Sequence, residues 1–245
     1  MAGHSKWANI KHRKGKADLK KGKIFSRIAK EIISAVKLGG ADPKNNPRLR
    51  LVLQKARGAN MPNENIERNI KKASQADQAD YHEMTYELYG YGGVGIIVEA
   101  MTDNKNRMAS EIRIATNKRG GTIATPGAVS FNFECKGVLQ IPQRLAIEEE
   151  LFLHATEAGA EDFEVADESY IITTEPTQLY TVKQHIAQLG FPCEEAELEM
   201  IPKAYIECDA EAIKDNLALI DWLEEIDDVD VVYHNMKISE DFIPA

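Results

Sequence analysis

Charge is spread so unevenly along this chain that it suggests modules of opposite sign. Residues 1–72 hold 19 of the 30 lysines and arginines but only 5 of the 39 aspartates and glutamates, a net +14. Residues 73–245 hold the other 11 cations and 34 carboxylates, a net −23. The overall charge of −9 averages the two halves away. A basic module joined to acidic domains follows, and a polyanion would be drawn to one end and repelled by the other.

The first segment is the most concentrated in cations. Lys6, Lys11, Arg13, Lys14 and Lys16 stand beside Trp7, Asn9, His4 and His12, with no carboxylate among residues 3–14. Lysine and arginine hold phosphate without regard to base. Tryptophan can stack on a base, and amide and imidazole groups can donate to sugar or base edges. A solvated basic tail is the plainer alternative, but a disordered tail seldom contains tryptophan.

Three apolar stripes at helical spacing follow. Ile24, Phe25, Ile28, Ile32, Ala35 and Val36 form the first, with Lys23, Arg27, Lys30, Ser34 and Lys37 opposite. Gly39-Gly40 ends that helix, and Asn46-Pro47 reads as the N-cap and first position of the next. There Leu49, Val52, Leu53 and Ala56 face inward while Arg50, Gln54 and Arg57 face away. Met61-Pro62 opens the third, with Ile66, Ile70 and Ala73 inward and Arg68, Lys71 and Lys72 outward. A three-helix basic bundle over residues 1–78 is expected, with residues 74–80 as its linker. Taken singly, each cation is an ordinary solvated side chain; together they point to nucleic acid, because helix surfaces normally mix signs. The candidate nucleic-acid-binding residues are Lys6, Trp7, Asn9, Lys11, His12, Arg13, Lys14, Lys16, Lys23, Arg27, Arg48, Arg50, Arg57, Arg68, Lys71 and Lys72.

The acidic remainder reads as α+β. Strands are expected over 84–89 and 94–101, a helix over 108–118 and a strand over 129–135. Residues 137–200 then run strand (138–141), helix (145–156), strand (163–165), strand (170–173), helix (179–189), strand (194–200). That is the β-α-β-β-α-β order of a ferredoxin-like domain. A strand over 204–208, a helix over 210–226 and a strand over 229–233 complete a split β-α-β. The expected architecture is a discontinuous α/β domain, 79–136 plus 201–245, with the acidic domain 137–200 inserted in it. The carboxylates Glu148, Glu149, Glu150, Glu157, Glu161, Asp162, Glu164, Asp167 and Glu168 read as a solvated face that would repel phosphate and suit a ribosomal or other basic protein. The polar turn Asn104, Lys105, Asn106 and Arg107, after Thr102-Asp103, is a secondary contact candidate. Helix capping by Asp103 or Asn104 explains it equally well.

Little suggests an enzyme. Gly90-Tyr91-Gly92-Gly93-Val94-Gly95 fits G-x-G-x-x-G on paper, yet it runs into another strand instead of a helix, so a hairpin turn is expected and no cofactor. No nucleophile motif or Walker lysine is present. The six histidines are scattered, and His154 and His185 read as satisfied structural residues of amphipathic helices, so no metal ligands or catalytic residues are assigned. Three cysteines without C-x-x-C spacing suit a reducing cytoplasm. No apolar run is long enough to cross a bilayer, and Ile10 alone does not make a secretion signal.

Residues 1–14, Met-Ala-Gly-His-Ser-Lys-Trp-Ala-Asn-Ile-Lys-His-Arg-Lys, resemble the opening signature of the YebC/PmpR family. These bacterial proteins are known as probable transcriptional regulators, and a mitochondrial relative is a translational activator of cytochrome c oxidase subunit I. The resemblance continues through Lys21–Phe25, Leu38–Gly40, Asn46–Arg50, Asn60–Arg68, Tyr89–Val94, Thr102–Arg107, Phe133–Gly137, Ile201-Pro202, Leu223–Val229 and Val232–Asn235. Gly15, Tyr91 and Lys105 depart from the family's alanine-rich link, proline and arginine. The resemblance implies a three-domain α/β protein that acts on gene expression through nucleic acid. Two readings stay open: a DNA-binding transcriptional regulator, and a translation factor on ribosomal RNA. The lack of a clear helix-turn-helix favours RNA on physical grounds, and the family's usual name favours DNA.

Overall fold

The computed structural model describes residues 17–73, 80–166, 168–193 and 195–238, with side chains of 17–21 and 195 left aside. It is a mixed α+β protein with seven α-helices and two four-stranded antiparallel sheets among the described residues. The chain divides into two compact units. The first runs to Pro126 and takes up Cys208–Val232; the second is built on Gly127–Glu207.

In the first unit, α1 (Ala17–Gly39), α2 (Pro47–Gly58) and α3 (Asn63–Ala73) pack their apolar stripes together. Ile28, Ile32, Ala35, Leu49 and Ala56 are fully buried at the centre of this core. The expected stripes are all present, except that Ile24 is exposed and Ile33 takes part in the core. Ala17–Leu19 belong to α1.

Asn46 is the hinge pin of the bundle. Its Oδ1 accepts from Leu49 N at 3.0 Å, the N-cap bond, and its Nδ2 donates to Ala35 O and Gly40 O, each at 2.8 Å. One buried amide thus closes the end of α1 onto the start of α2. Gly39 leaves room for it, since a Cβ there would lie 2.8 Å from the Asn46 amide.

The first sheet runs β3-β1-β2-β8, with β1 His82–Tyr89, β2 Gly95–Thr102, β3 Thr122–Ile123 and β8 Val229–His234. β1 and β2 are an antiparallel hairpin that pairs Tyr89 with Gly95, so the glycine-rich run is a turn, as expected. Buried Asn216 clamps that turn: Tyr91 N donates to its Oδ1 at 2.8 Å, and its Nδ2 donates to Tyr91 O at 3.1 Å. A Cβ on Gly90 would fall 2.2 Å from the same oxygen, which is why glycine stands there. Helices α4 (Lys105–Arg119) and α7 (Ala210–Glu225) pack together.

The second unit carries sheet β5-β6-β4-β7, with β4 Phe133–Pro142, β5 Asp162–Val165, β6 Ser169–Thr174 and β7 Glu195–Pro202. Helices α5 (Glu148–Glu157) and α6 (Leu179–Gln188) cover one face over Leu139, Ile141, Tyr170 and Ile172. The strand–helix–strand–strand–helix–strand order anticipated from the sequence is present.

Three expected strands differ. Those placed at 129–135 and 138–141 are one continuous strand, β4. Gly137, between those two expected strands, is a close-approach position: a Cβ there would meet Thr174 Oγ1 at 2.4 Å and Leu179 Cβ at 2.8 Å. Residues 204–208 form no strand, only a single parallel bridge from Ile206 to Met236. The place this strand would have taken beside β2 belongs to β1.

Replacing Asn46 by alanine removes a cap and leaves the buried Ala35 carbonyl and the part-buried Gly40 carbonyl without this donor. We expect a loss of about 2–3 kcal/mol in urea unfolding of the full chain, with an unchanged value counting against Asn46 as the pin.

Candidate nucleic-acid interface

Helix α1 has two inward faces, one apolar and one ionic. Lys23 Nζ donates to Glu224 O, and to Ile226 O at 3.2 Å. Arg27 Nε donates to Glu31 Oε1 at 3.0 Å, and the guanidinium lies 3.7 Å from both Glu99 and Asp230. Lys30 Nζ reaches Asp228 Oδ1 at 3.0 Å and Met101 O at 2.8 Å. Ser34, on the same face, is buried. Lys23, Arg27 and Lys30 of the stripe that the sequence places outward therefore pack toward α7, β2 and β8. Lys23 and Arg27, candidates for phosphate contact in the sequence, lie within this packing, opposite acidic residues from the far end of the chain.

Asp228 is the focus of this joint. Besides Lys30, its carboxylate accepts from Thr102 Oγ1 at 2.8 Å and from Arg107 Nη2 at 2.5 Å. Arg107 also pairs with Asp103 at 2.7 Å. Burial pushes the Asp228 carboxyl up, but the bonds from Arg107, Thr102 and Lys30 together outweigh it and hold the group below its ordinary range. The Arg107 guanidinium is correspondingly held firmly charged, chiefly by Asp228 and then Asp103. At Asp230 burial prevails: the carboxyl is pushed up despite Arg27 and Lys30, with Glu31 adding to the rise. Burial likewise lowers the Lys23 ammonium against the pull of Glu224, Asp227 and Asp230.

The polar turn belongs to the same construction. Asn104 caps α4, accepting from Asn106 N at 3.1 Å and Arg107 N at 3.0 Å. Of the two readings open at this turn, capping is what Asn104 does, and Arg107 is held by Asp228. Lys105 and Asn106 are exposed.

The cations left outward lie on α2 and α3. Arg50, Arg57, Lys71 and Lys72 are exposed and make no ion pair among the described residues. Arg48 pairs with Glu83 at 2.7 Å, and Arg68 donates to Asn65 Oδ1 at 2.8 Å; both are surface contacts of small energetic weight. Lys6, Trp7, Asn9, Lys11, His12, Arg13, Lys14 and Lys16 lie outside the described residues. Lys30, Lys55 and Asp228 carry structural weight that the sequence reading missed. Lys55 Nζ donates to Glu31 Oε1 at 2.7 Å, so one carboxylate joins α2 to Arg27 on α1. The available signal was Glu31, one of two carboxylates among the cations of the first 40 residues.

In the second unit Glu148, Glu149, Glu150, Glu157, Glu161, Asp162 and Glu168 are exposed, Glu164 is partly buried, and Asp167 lies outside the described residues. His185 does not behave as the satisfied structural histidine expected: its Nε2 is buried without a hydrogen-bond partner among the described residues.

Residues 5–76 match the family model of the TACO1/YebC protein N-terminal domain, and residues 81–236 match that of the TACO1/YebC second and third domain. The chain belongs to the TACO1/YebC family. A probable transcriptional regulatory protein of Protochlamydia amoebophila is 78% identical to it over 98% of both chains. One of Chlamydia muridarum is 59% identical over 96% of this chain and 100% of its own. The crystal structure of the conserved hypothetical protein Aq1575 from Aquifex aeolicus, 43% identical, superposes with a TM-score of 0.81 over 98% of this chain and 99% of that one. The TACO1/YebC pattern thus covers nearly the whole chain. No helix among the described residues is long and apolar enough to cross a membrane.

The pH sign at Asp228 is definite. Its carboxyl is depressed by folding, so its stabilisation is present above the ordinary carboxylate range (~pH 4) and is lost as pH falls through the folded value. Asp228→Asn should cost about 3 kcal/mol at neutral pH. The gap from the parent should narrow in chemical denaturation below about pH 4, whereas a gap independent of pH would remove the charge from the explanation.

Proposed function

We propose that this chain is a non-enzymatic regulator of gene expression that binds nucleic acid through the outer faces of α2 and α3, together with the basic N-terminal segment. The observation that carries the reading is the sorting of cations within the helical unit. Lys23, Arg27, Lys30 and Lys55 face carboxylates or carbonyls of the same unit. Arg50, Arg57, Lys71 and Lys72 remain exposed and face none among the described residues. A cationic surface without internal counter-charges releases condensed counterions when it meets phosphate, which gives affinity with a steep dependence on salt. The names of its relatives, probable transcriptional regulatory protein, favour DNA as the ligand and transcription as the process.

A translation factor on ribosomal RNA is the second reading, favoured by one feature of the fold. The longest helix of the bundle, α1, is engaged on both its apolar and its ionic face, so it is not available to lie along a major groove. Short cationic faces on α2 and α3 suit an irregular phosphate path equally well. In that reading the exposed carboxylates of the second unit would approach basic ribosomal proteins.

The test is the quadruple charge reversal Arg50→Glu, Arg57→Glu, Lys71→Glu and Lys72→Glu in the full chain, titrated by fluorescence anisotropy against duplex DNA and against a looped RNA. Affinity for the physiological class should fall on the order of 10²-fold, with the slope of log affinity against log salt smaller by about 3. Unchanged slopes on both ligands would remove α2 and α3 from the interface. Tighter binding of the parent to looped RNA than to duplex DNA at equal salt would select the translational reading.

A further inference from the structure

The second unit brings together three groups with the chemistry of metal ligands. His154 and Glu157 are an i, i+3 pair on the last turn of α5 and so share one helix face, with Nδ1 and Oε2 at 3.4 Å. His185 lies in the last turn of α6, which packs beside α5. One ligand atom from each of the three lies within 4.8 Å of the other two. The Nε2 of His185 is buried and has no hydrogen-bond partner among the described residues, although a buried polar atom without a partner costs stability. An incoming cation would satisfy that nitrogen.

We propose that His154, Glu157 and His185 form a binding site for one divalent transition-metal ion of the zinc type. Two imidazoles and a carboxylate are a donor set that zinc, cobalt and nickel accept, with a fourth position left to water. Magnesium and calcium prefer all-oxygen sites and fit it poorly. Tetrahedral ligation at about 2.0–2.1 Å requires donor atoms roughly 3.3 Å apart, so the three must draw in from their present spacing. Glu157 and His154 have the freedom to do so, with side chains 59% and 30% exposed. The bound ion would tie α5 to α6 across the outside of the sheet, in the unit that does not contain the cationic helices. This inference is independent of nucleic-acid binding.

The full chain, stripped with a chelator and dialysed, is titrated with Zn²⁺ and separately with Mg²⁺ by calorimetry, and with Co²⁺ by visible absorption. One Zn²⁺ per chain is expected, no Mg²⁺ heat, and a Co²⁺ ligand-field band. Glu157→Gln, at a side chain 59% exposed, should leave the unmetallated fold unchanged, and it and His154→Gln should each weaken Zn²⁺ binding at least about tenfold and alter the Co²⁺ band. His185→Gln should do the same. No Zn²⁺ binding by the parent, or binding of equal strength in His154→Gln and Glu157→Gln, would overturn the site; the latter would place the ion on other histidines of the chain.

Discussion

A single buried carboxylate, that of Asp228, fixes how the basic helices and the first sheet belong to one unit. It receives Lys30 from α1, Thr102 from the end of β2 and Arg107 from the first turn of α4. The backbone closes the same knot, since Met101 N donates to Asp228 O at 2.9 Å while Lys30 Nζ donates to Met101 O. An isolated carboxylate here would be costly to bury; three donors from three elements make its ionised form the favourable one. Removing any one donor weakens that compensation at a carboxylate whose side chain is only 9% exposed. The two segments Thr102–Arg107 and Leu223–Val229, far apart in sequence, thus serve one joint.

That joint decides which cations can act on a partner. A lysine or arginine whose neighbours are carboxylates of its own fold brings little net attraction to phosphate, since its field is already compensated at short range. Lys23, Arg27, Lys30 and Lys55 are of this kind. Arg50, Arg57, Lys71 and Lys72, on the outer faces of α2 and α3, have no such compensation from the described residues, and their field reaches solvent. The net +14 of residues 1–72 overstates the charge presented to a polyanion, because acidic residues from the end of the chain cancel part of it.

Local signals in the sequence carried most of the secondary structure. Asn46-Pro47 as cap and first turn, the apolar stripes of α1 to α3, and the hairpin at the glycine-rich run all depend on residues close together in the chain. What escaped depends on distant partners. Gly137 falls between two expected strands, and the close approach of Thr174 and Leu179 there is invisible in the sequence. Residues 204–208 read as a strand in the sequence, yet β1 holds the place beside β2. The stripe Lys23, Arg27, Lys30 looks solvent-facing until Asp228 and Asp230 are set opposite, some 200 positions later. The same limit applied at His185, whose unsatisfied nitrogen is visible only once α5 and α6 are side by side.

Two classes of cation on one small helical unit is the central claim, and single-residue salt dependence separates them. Binding of the preferred nucleic acid is measured from about 50 to 200 mM salt for Arg27→Gln and Arg57→Gln in the full chain, at a temperature where both are folded. The sorting of charges predicts that Arg57→Gln reduces the slope of log affinity against log salt by about one while Arg27→Gln leaves it unchanged. Equal reductions from both, or a loss confined to Arg27→Gln, would contradict it.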